Sequence, residues 1–215
     1  MNPLPVVNEE DPTADNNSIT DVKLPVAVQG AIGVQGDIDQ YSFVAQANQL
    51  IVIECWANRI DSTLRSRLEI FGPDGQNVPA SKMLFGTDSM LTIKVPESGK
   101  YTVRITDLVY SGSPSAIYRL EIHSLPRVLF TLPAAITEGD SQELRAFGYN
   151  LGGQASDGTS LEFRSVTLSA KELTPGFRLP AFADAISVTA PATPLSILQS
   201  IHPVGLSLTE ERIVV

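Results

Sequence analysis

The residues best suited to chemistry lie in one short stretch, Gly36-Asp37-Ile38-Asp39-Gln40-Tyr41-Ser42-Phe43. Asp37 and Asp39 are two apart, so on extended backbone their carboxylates project from the same side, and Tyr41 and Phe43 continue that parity. Carboxylates on a turn that enters a strand can offer oxygens to a hard cation such as calcium, or can form no more than an acidic turn. The residues alone leave both readings open.

Elsewhere the side chains of catalysis are scattered. Cys55 sits in Leu50-Ile51-Val52-Ile53-Glu54-Cys55-Trp56-Ala57, on the more regular apolar face of an alternating run, where a thiol is inert packing. As the one cysteine it excludes an internal disulfide, which suits the cytosol and an exported protein without bridges alike. His123 and His202 have no metal-ligand spacing, so zinc is not expected. No Gly-x-Ser-x-Gly, His-Glu-x-x-His or phosphate-cradling glycine loop is present. The chain is therefore expected not to be an enzyme. Two aromatics are candidates for a ligand surface. Trp56 shares a strand face with Glu54, although packing under a loop such as 108–114 is the plainer reading of it. Tyr110 lies in that loop, with Arg59 and Arg104 as candidate polar company.

The 15 Lys and Arg against 24 Asp and Glu give a net charge of -9, which excludes nucleic acid as partner because phosphate binding needs clustered cations. No run reaches the length of a membrane span. The first residues carry neither the basic nor the apolar part of a signal peptide, so the signal of an exported parent would lie outside this sequence.

The elements that must position these residues read as β. Residues 1–25 form an acidic N-terminal segment in which Pro3, Pro5 and Pro12 discourage a helix, and a solvated leader is its plain reading. From Val26 the period is two. Strands are expected over 26–32, 40–45, 50–57, 68–71, 90–95, 101–106 and 118–123, punctuated by Gly72-Pro73-Asp74-Gly75 and Pro96-Glu97-Ser98-Gly99. Pro126 in Leu125-Pro126-Arg127 marks a boundary between a unit over 26–124 and a second one over 126–215. In the second, Val128-Leu129-Phe130, 142–147, 161–168, 185–189 and 211–215 are candidate strands, 173–180 and 191–194 are proline-punctuated connections, and 196–201 is helical turn or strand. The fold class is all-β, an antiparallel β-sandwich followed by a smaller, less regular β-domain.

Glu9-x-Asp11-Pro12, the Gly36–Phe43 stretch, Leu50–Ala57, Ser98-Gly99-Lys100-Tyr101-Thr102-Val103-Arg104-Ile105 and Tyr118-Arg119-Leu120-Glu121-Ile122 occur in this order. Together they resemble the bacterial pre-peptidase C-terminal domain family over about residues 8–124. The resemblance implies a jelly-roll-like sandwich on extracellular or periplasmic proteins that is not itself catalytic. It further implies calcium held by Glu9, Asp11, Asp37 and Asp39, although Thr13 and Ala14 stand where the family has two oxygen donors. The segment from Pro126 to about Gly153 resembles the start of an immunoglobulin-like module of IPT/TIG type. On this reading the chain is an accessory or binding module of a larger exported protein. Its partners would be other domains of that parent and extracellular protein or polysaccharide. The alternatives are a peptidase-associated segment assisting an absent enzyme domain, and a calcium-stabilised adhesive or structural module.

Overall fold

In a computed structural model, residues 4–9, 18–132, 141–153 and 161–169 are described. The chain divides into two compact units, one over Leu4–Ser124 and one beginning at Leu125.

The first unit contains β1 (Val6–Asn8), β2 (Ile19–Asp21), β3 (Val26–Ala31), β4 (Ile38–Ala45) and β5 (Leu50–Trp56). After a 3₁₀ turn at Asn58–Ile60 come β6 (Ser66–Phe71), β7 (Ser81–Phe85), β8 (Asp88–Lys94), β9 (Gly99–Asp107) and β10 (Ile117–His123). They form a six-stranded sheet, β1-β3-β10-β5-β8-β7, and a four-stranded sheet, β2-β4-β9-β6. Alternation explains how the sheets stack. Val26 and Val28, Ile51 and Ile53, Leu91 and Ile93, and Leu120 and Ile122 of the larger sheet meet Tyr41 and Phe43, Leu68 and Ile70, and Tyr101, Val103 and Ile105 of the smaller. Each such side chain contributes about 1.5–3 kcal/mol by leaving water. β5 is buried along both faces, as expected of a central strand.

The expected all-β sandwich is present, with three differences. First, the acidic N-terminal segment is not simply a leader: it supplies β1 and β2. Both pair parallel, Val6–Asn8 with Ala27–Gln29 and Ile19–Asp21 with Gln40–Ser42, so the sheets are mixed rather than wholly antiparallel. Second, β7 was not anticipated. It is joined to β8 by the two-residue turn Gly86-Thr87, and Gly86 has φ +65°, as the first central position of the turn that suits a two-residue hairpin requires. Third, the strands expected at 40–45, 68–71, 90–95 and 101–106 each begin two residues earlier, at Ile38, Ser66, Asp88 and Gly99.

The sheets differ in width. Lys82 and Leu84 pair with Leu91 and Ser89, which places them on the inner face of the six-stranded sheet, yet both are exposed. The four-stranded sheet ends at β6, and β7 overhangs it.

In the second unit β11 (Arg127–Leu132), β12 (Ser141–Tyr149) and β13 (Glu162–Ser169) make an antiparallel sheet in that order. Phe130, Phe147 and Phe163 line up across it, with ring centroids 4.8 and 5.9 Å apart. Gly148 is required by close approach, because a Cβ there would lie 1.9 Å from the Arg127 carbonyl oxygen. The segments expected at 173–180, 185–189, 191–194, 196–201 and 211–215 lie outside the described residues, as do Asp11, Thr13, Ala14 and His202.

Candidate functional site

Three of the four predicted carboxylates come to one end of the sandwich. β4 projects Asp39, Tyr41 and Phe43 inward on one parity, all buried, so Asp39 points into the molecule. Asp37, in the preceding loop, is also buried. Its Oδ2 accepts the Gly33 N–H and its Oδ1 the Ile38 N–H, each at 2.9 Å, which ties the loop closed. Glu9 follows β1, and its Oε2 accepts the Ala31 N–H at 2.9 Å. Its carboxyl also hydrogen-bonds that of Asp39.

The group that organises Asp39 was not foreseen. The Tyr118 hydroxyl, from β10 in the opposite sheet, donates to Asp39 Oδ2 at 2.6 Å. The Tyr41 hydroxyl lies 2.6 Å from that of Tyr118. A phenol has one proton, and Tyr118 commits it to Asp39, so Tyr41 donates to Tyr118. The relay therefore runs Tyr41 to Tyr118 to Asp39, and on to Glu9. Burial raises the Asp39 carboxyl to about 8, against the pull of the Tyr118 hydrogen bond, with the negative charges of Glu9 and Asp37 adding to the rise. Burial likewise raises both phenols. Gly30 makes room for this, since a Cβ would lie 2.5 Å from the Tyr118 hydroxyl and 2.6 Å from Glu9 Oε2.

Calcium takes about six to eight oxygens. Among the described residues, no three Asp, Glu, His or Cys side chains form a group that could hold a metal ion. Each oxygen of Asp37 accepts a backbone N–H, and the charge of Glu9 bears on the buried Asp39. Asp11, the fourth residue of the expected calcium set, lies outside the described residues.

A second buried polar cluster centres on Arg59. Its Nη1 reaches Glu54 Oε1 and its Nε reaches Asp88 Oδ2, both at 2.7 Å, and its Nη2 donates to the Cys55 carbonyl at 3.0 Å. Its guanidinium lies 3.8 Å from the centre of the Trp56 ring. Trp56 is thus partly covered by Arg59. Asp88 also accepts the N–H groups of Ala57 and Asn58, at 3.0 and 2.6 Å, so it caps the 3₁₀ turn from β8. Cys55 is fully buried, and burial pushes its thiol up to about 12, which removes it as a nucleophile. His123 is fully buried too.

Tyr110 is exposed, as expected, but its polar company differs. Arg67 Nη1 donates to its hydroxyl at 3.3 Å, whereas Arg59 is engaged at Trp56, and Arg104 lies over Phe71 and donates to Gln40. The loop that carries Tyr110 is pinned. Asp107 accepts the Val109 N–H at 3.1 Å and the Ser111 hydroxyl, and the Tyr110 carbonyl accepts the Gly36 N–H at 3.2 Å. Leu108 N–H bonds the Arg65 carbonyl at 2.8 Å. The result is a fixed loop with Leu108, Val109 and Tyr110 held 56%, 63% and 50% exposed.

No protein-family model and no curated sequence matches the chain. Among solved structures it is similar to the pre-peptidase C-terminal domain of a collagenase from Bacillus anthracis, at 14% identity and a TM-score of 0.40, covering 51% of this chain and 99% of that one. It is also similar to PliG, a periplasmic lysozyme inhibitor of g-type lysozyme. For the Aeromonas hydrophila protein the identity is 22% and the TM-score 0.32, covering 49% of this chain and 96% of that one. For the Salmonella Typhimurium protein they are 19% and 0.34, covering 50% and 98%.

Proposed function

We propose that the chain is a non-catalytic binding module of a larger exported bacterial protein, making its contacts to protein through the Leu108–Tyr110 loop. The observation that carries this reading is the loop itself. Three adjacent large apolar side chains stand half or more exposed on backbone held by five hydrogen bonds and by a left-handed Tyr110 at φ +55°. Exposed apolar groups on a pre-ordered loop suit recognition, because little conformational entropy remains to be lost on binding. Export is supported by the sequence resemblance. Among the described residues, Cys55 and His123 are fully buried, and Glu54 and Asp88 are buried in ion pairs with Arg59.

The test is selection of displayed random peptides on the immobilised chain. Peptides enriched on the natural chain and lost with Leu108→Ser plus Val109→Ser are expected. No enrichment, enrichment indifferent to the loop, or a hydrolase activity abolished by a point substitution within the chain would overturn the reading.

A further inference from the structure

The overhang of β7 beyond β6 leaves a cleft of about 250 Å3 whose floor includes Leu68, Leu84 and Leu91 and whose rim includes Arg65, Arg67 and Lys82. No Asp or Glu lines it, on a chain of net charge -9. Its apolar content is exposed for a structural reason: Leu84 faces inward from the wider sheet, finds no strand of the narrower sheet above it, and stands 66% exposed. Leu108 lines the same cleft, and Arg67 connects it to Tyr110.

The edge of β6 has unused pairing capacity there. Val78 N–H bonds the Ile70 carbonyl at 2.9 Å from the outer side, while Leu108 N–H bonds the Arg65 carbonyl from the β9 side. Alternation along an antiparallel ladder then turns the N–H and C=O of Leu68 outward, toward the cleft. Segment 76–78 covers β6 only as far as Ile70.

We propose that this cleft binds an extended peptide segment of a partner protein in which carboxylates alternate with aliphatic side chains. The segment lies beside β6 as the missing strand of the narrower sheet and pairs with Leu68. Its aliphatic side chains cover Leu84, its carboxylates lie on the side of Arg65 and Arg67, and Lys82 adds positive charge to the same cleft. Charge complementarity favours this occupant. Arg67 is already paired with Glu69 at 2.8 Å, so the positive charge of the rim rests chiefly on Arg65 and Lys82, and it attracts an acidic strand locally while repelling a basic one. The proposal rests on the reading of the chain as a protein-binding module, and gives that module a second, contiguous contact with stated chemistry.

The probe is a fluorescein-labelled ten-residue peptide alternating Glu with Leu and Val, measured by anisotropy against the full chain. The control peptide has Lys in place of Glu. The acidic peptide is expected to bind, the control at least about tenfold more weakly, and Lys82→Glu and Leu84→Ser are each expected to weaken the acidic peptide about tenfold. Both positions are exposed, so the variants should keep the natural chain's melting temperature. Equal binding of both peptides, or no binding, overturns the proposal. Binding indifferent to Lys82→Glu and Leu84→Ser but lost with Leu108→Ser plus Val109→Ser overturns the cleft while sparing the loop reading. A dimer in sedimentation that Leu84→Asp dissolves would make a second copy the occupant and overturn the peptide assignment.

Discussion

Tyr118 and Asp39 belong to opposite sheets, and the 2.6 Å hydrogen bond between them crosses the interior of the sandwich. A buried polar bridge of this kind stabilises only while it is complete, because each member left alone keeps its desolvation cost. Tyr118→Phe strands both Asp39 and Tyr41 and is expected to cost about 2–3 kcal/mol in urea unfolding, whereas Tyr41→Phe removes the terminal donor and should cost about 1 kcal/mol. A double variant no worse than Tyr118→Phe would show that the hydroxyls act as one unit.

Proton linkage at Asp39 has a definite sign. The ordinary carboxyl near 3.8 is raised to about 8 in the fold, so the folded state keeps a proton that the unfolded state releases. Stability from this group is complete below about pH 4 and falls as pH rises toward about 8, by at most about 1.4 kcal/mol per pH unit. Asp39→Asn keeps an acceptor for Tyr118 and cannot ionise. It should flatten the melting temperature between pH 5 and 8 and raise it at the upper end. An unchanged slope would refute the assignment.

Arg59 compensates two carboxylates, Glu54 and Asp88, that are fully buried. Arg59→Met leaves both without their counter-charge and is expected to cost about 3–5 kcal/mol by denaturant titration. Arg59→Lys retains charge but not the fork that reaches both acids and the Cys55 carbonyl, and should recover only part of that loss.

Calcium is expected to leave the thermal melt unchanged at millimolar concentration, and chelator likewise. A rise in melting temperature with calcium that Asp37→Asn or Asp39→Asn abolishes would show that oxygens beyond the described residues complete a shell with these two.

Gly30→Ala tests the crowding around the relay. The new methyl must displace the Tyr118 hydroxyl or Glu9, so stability should fall and the pH dependence assigned to Asp39 should weaken with it. A stability loss with the pH profile intact would count against the geometry.

The inward parity of Asp39, Tyr41 and Phe43 was legible because alternation is a local property, and so was the burial of β5 on both faces. What escaped reading was long-range or edge-bound. Tyr41 and Tyr118 are 77 residues apart, and nothing in either neighbourhood announces the other. Asp88 is 29 residues from Arg59, just ahead of the strand expected at 90–95, and nothing local to either marks the pairing. β7 escaped because Lys82 and Leu84 share a half-open face, which gives no contrast between apolar and polar positions. β1 and β2 are too short and proline-flanked to carry a period of their own, and exist through the strands they join.

The two short parallel strands have a consequence for assembly. β1 and β2 occupy the outer flank of their respective sheets on the side away from β6 and β7, each only three residues long. Edges that short are poor templates for adding another chain. Among the described residues of the first unit, the longer edges β6 and β7 lie on one flank, so strand addition to this sandwich is favoured on that flank alone and a partner seated there leaves no comparable edge opposite it.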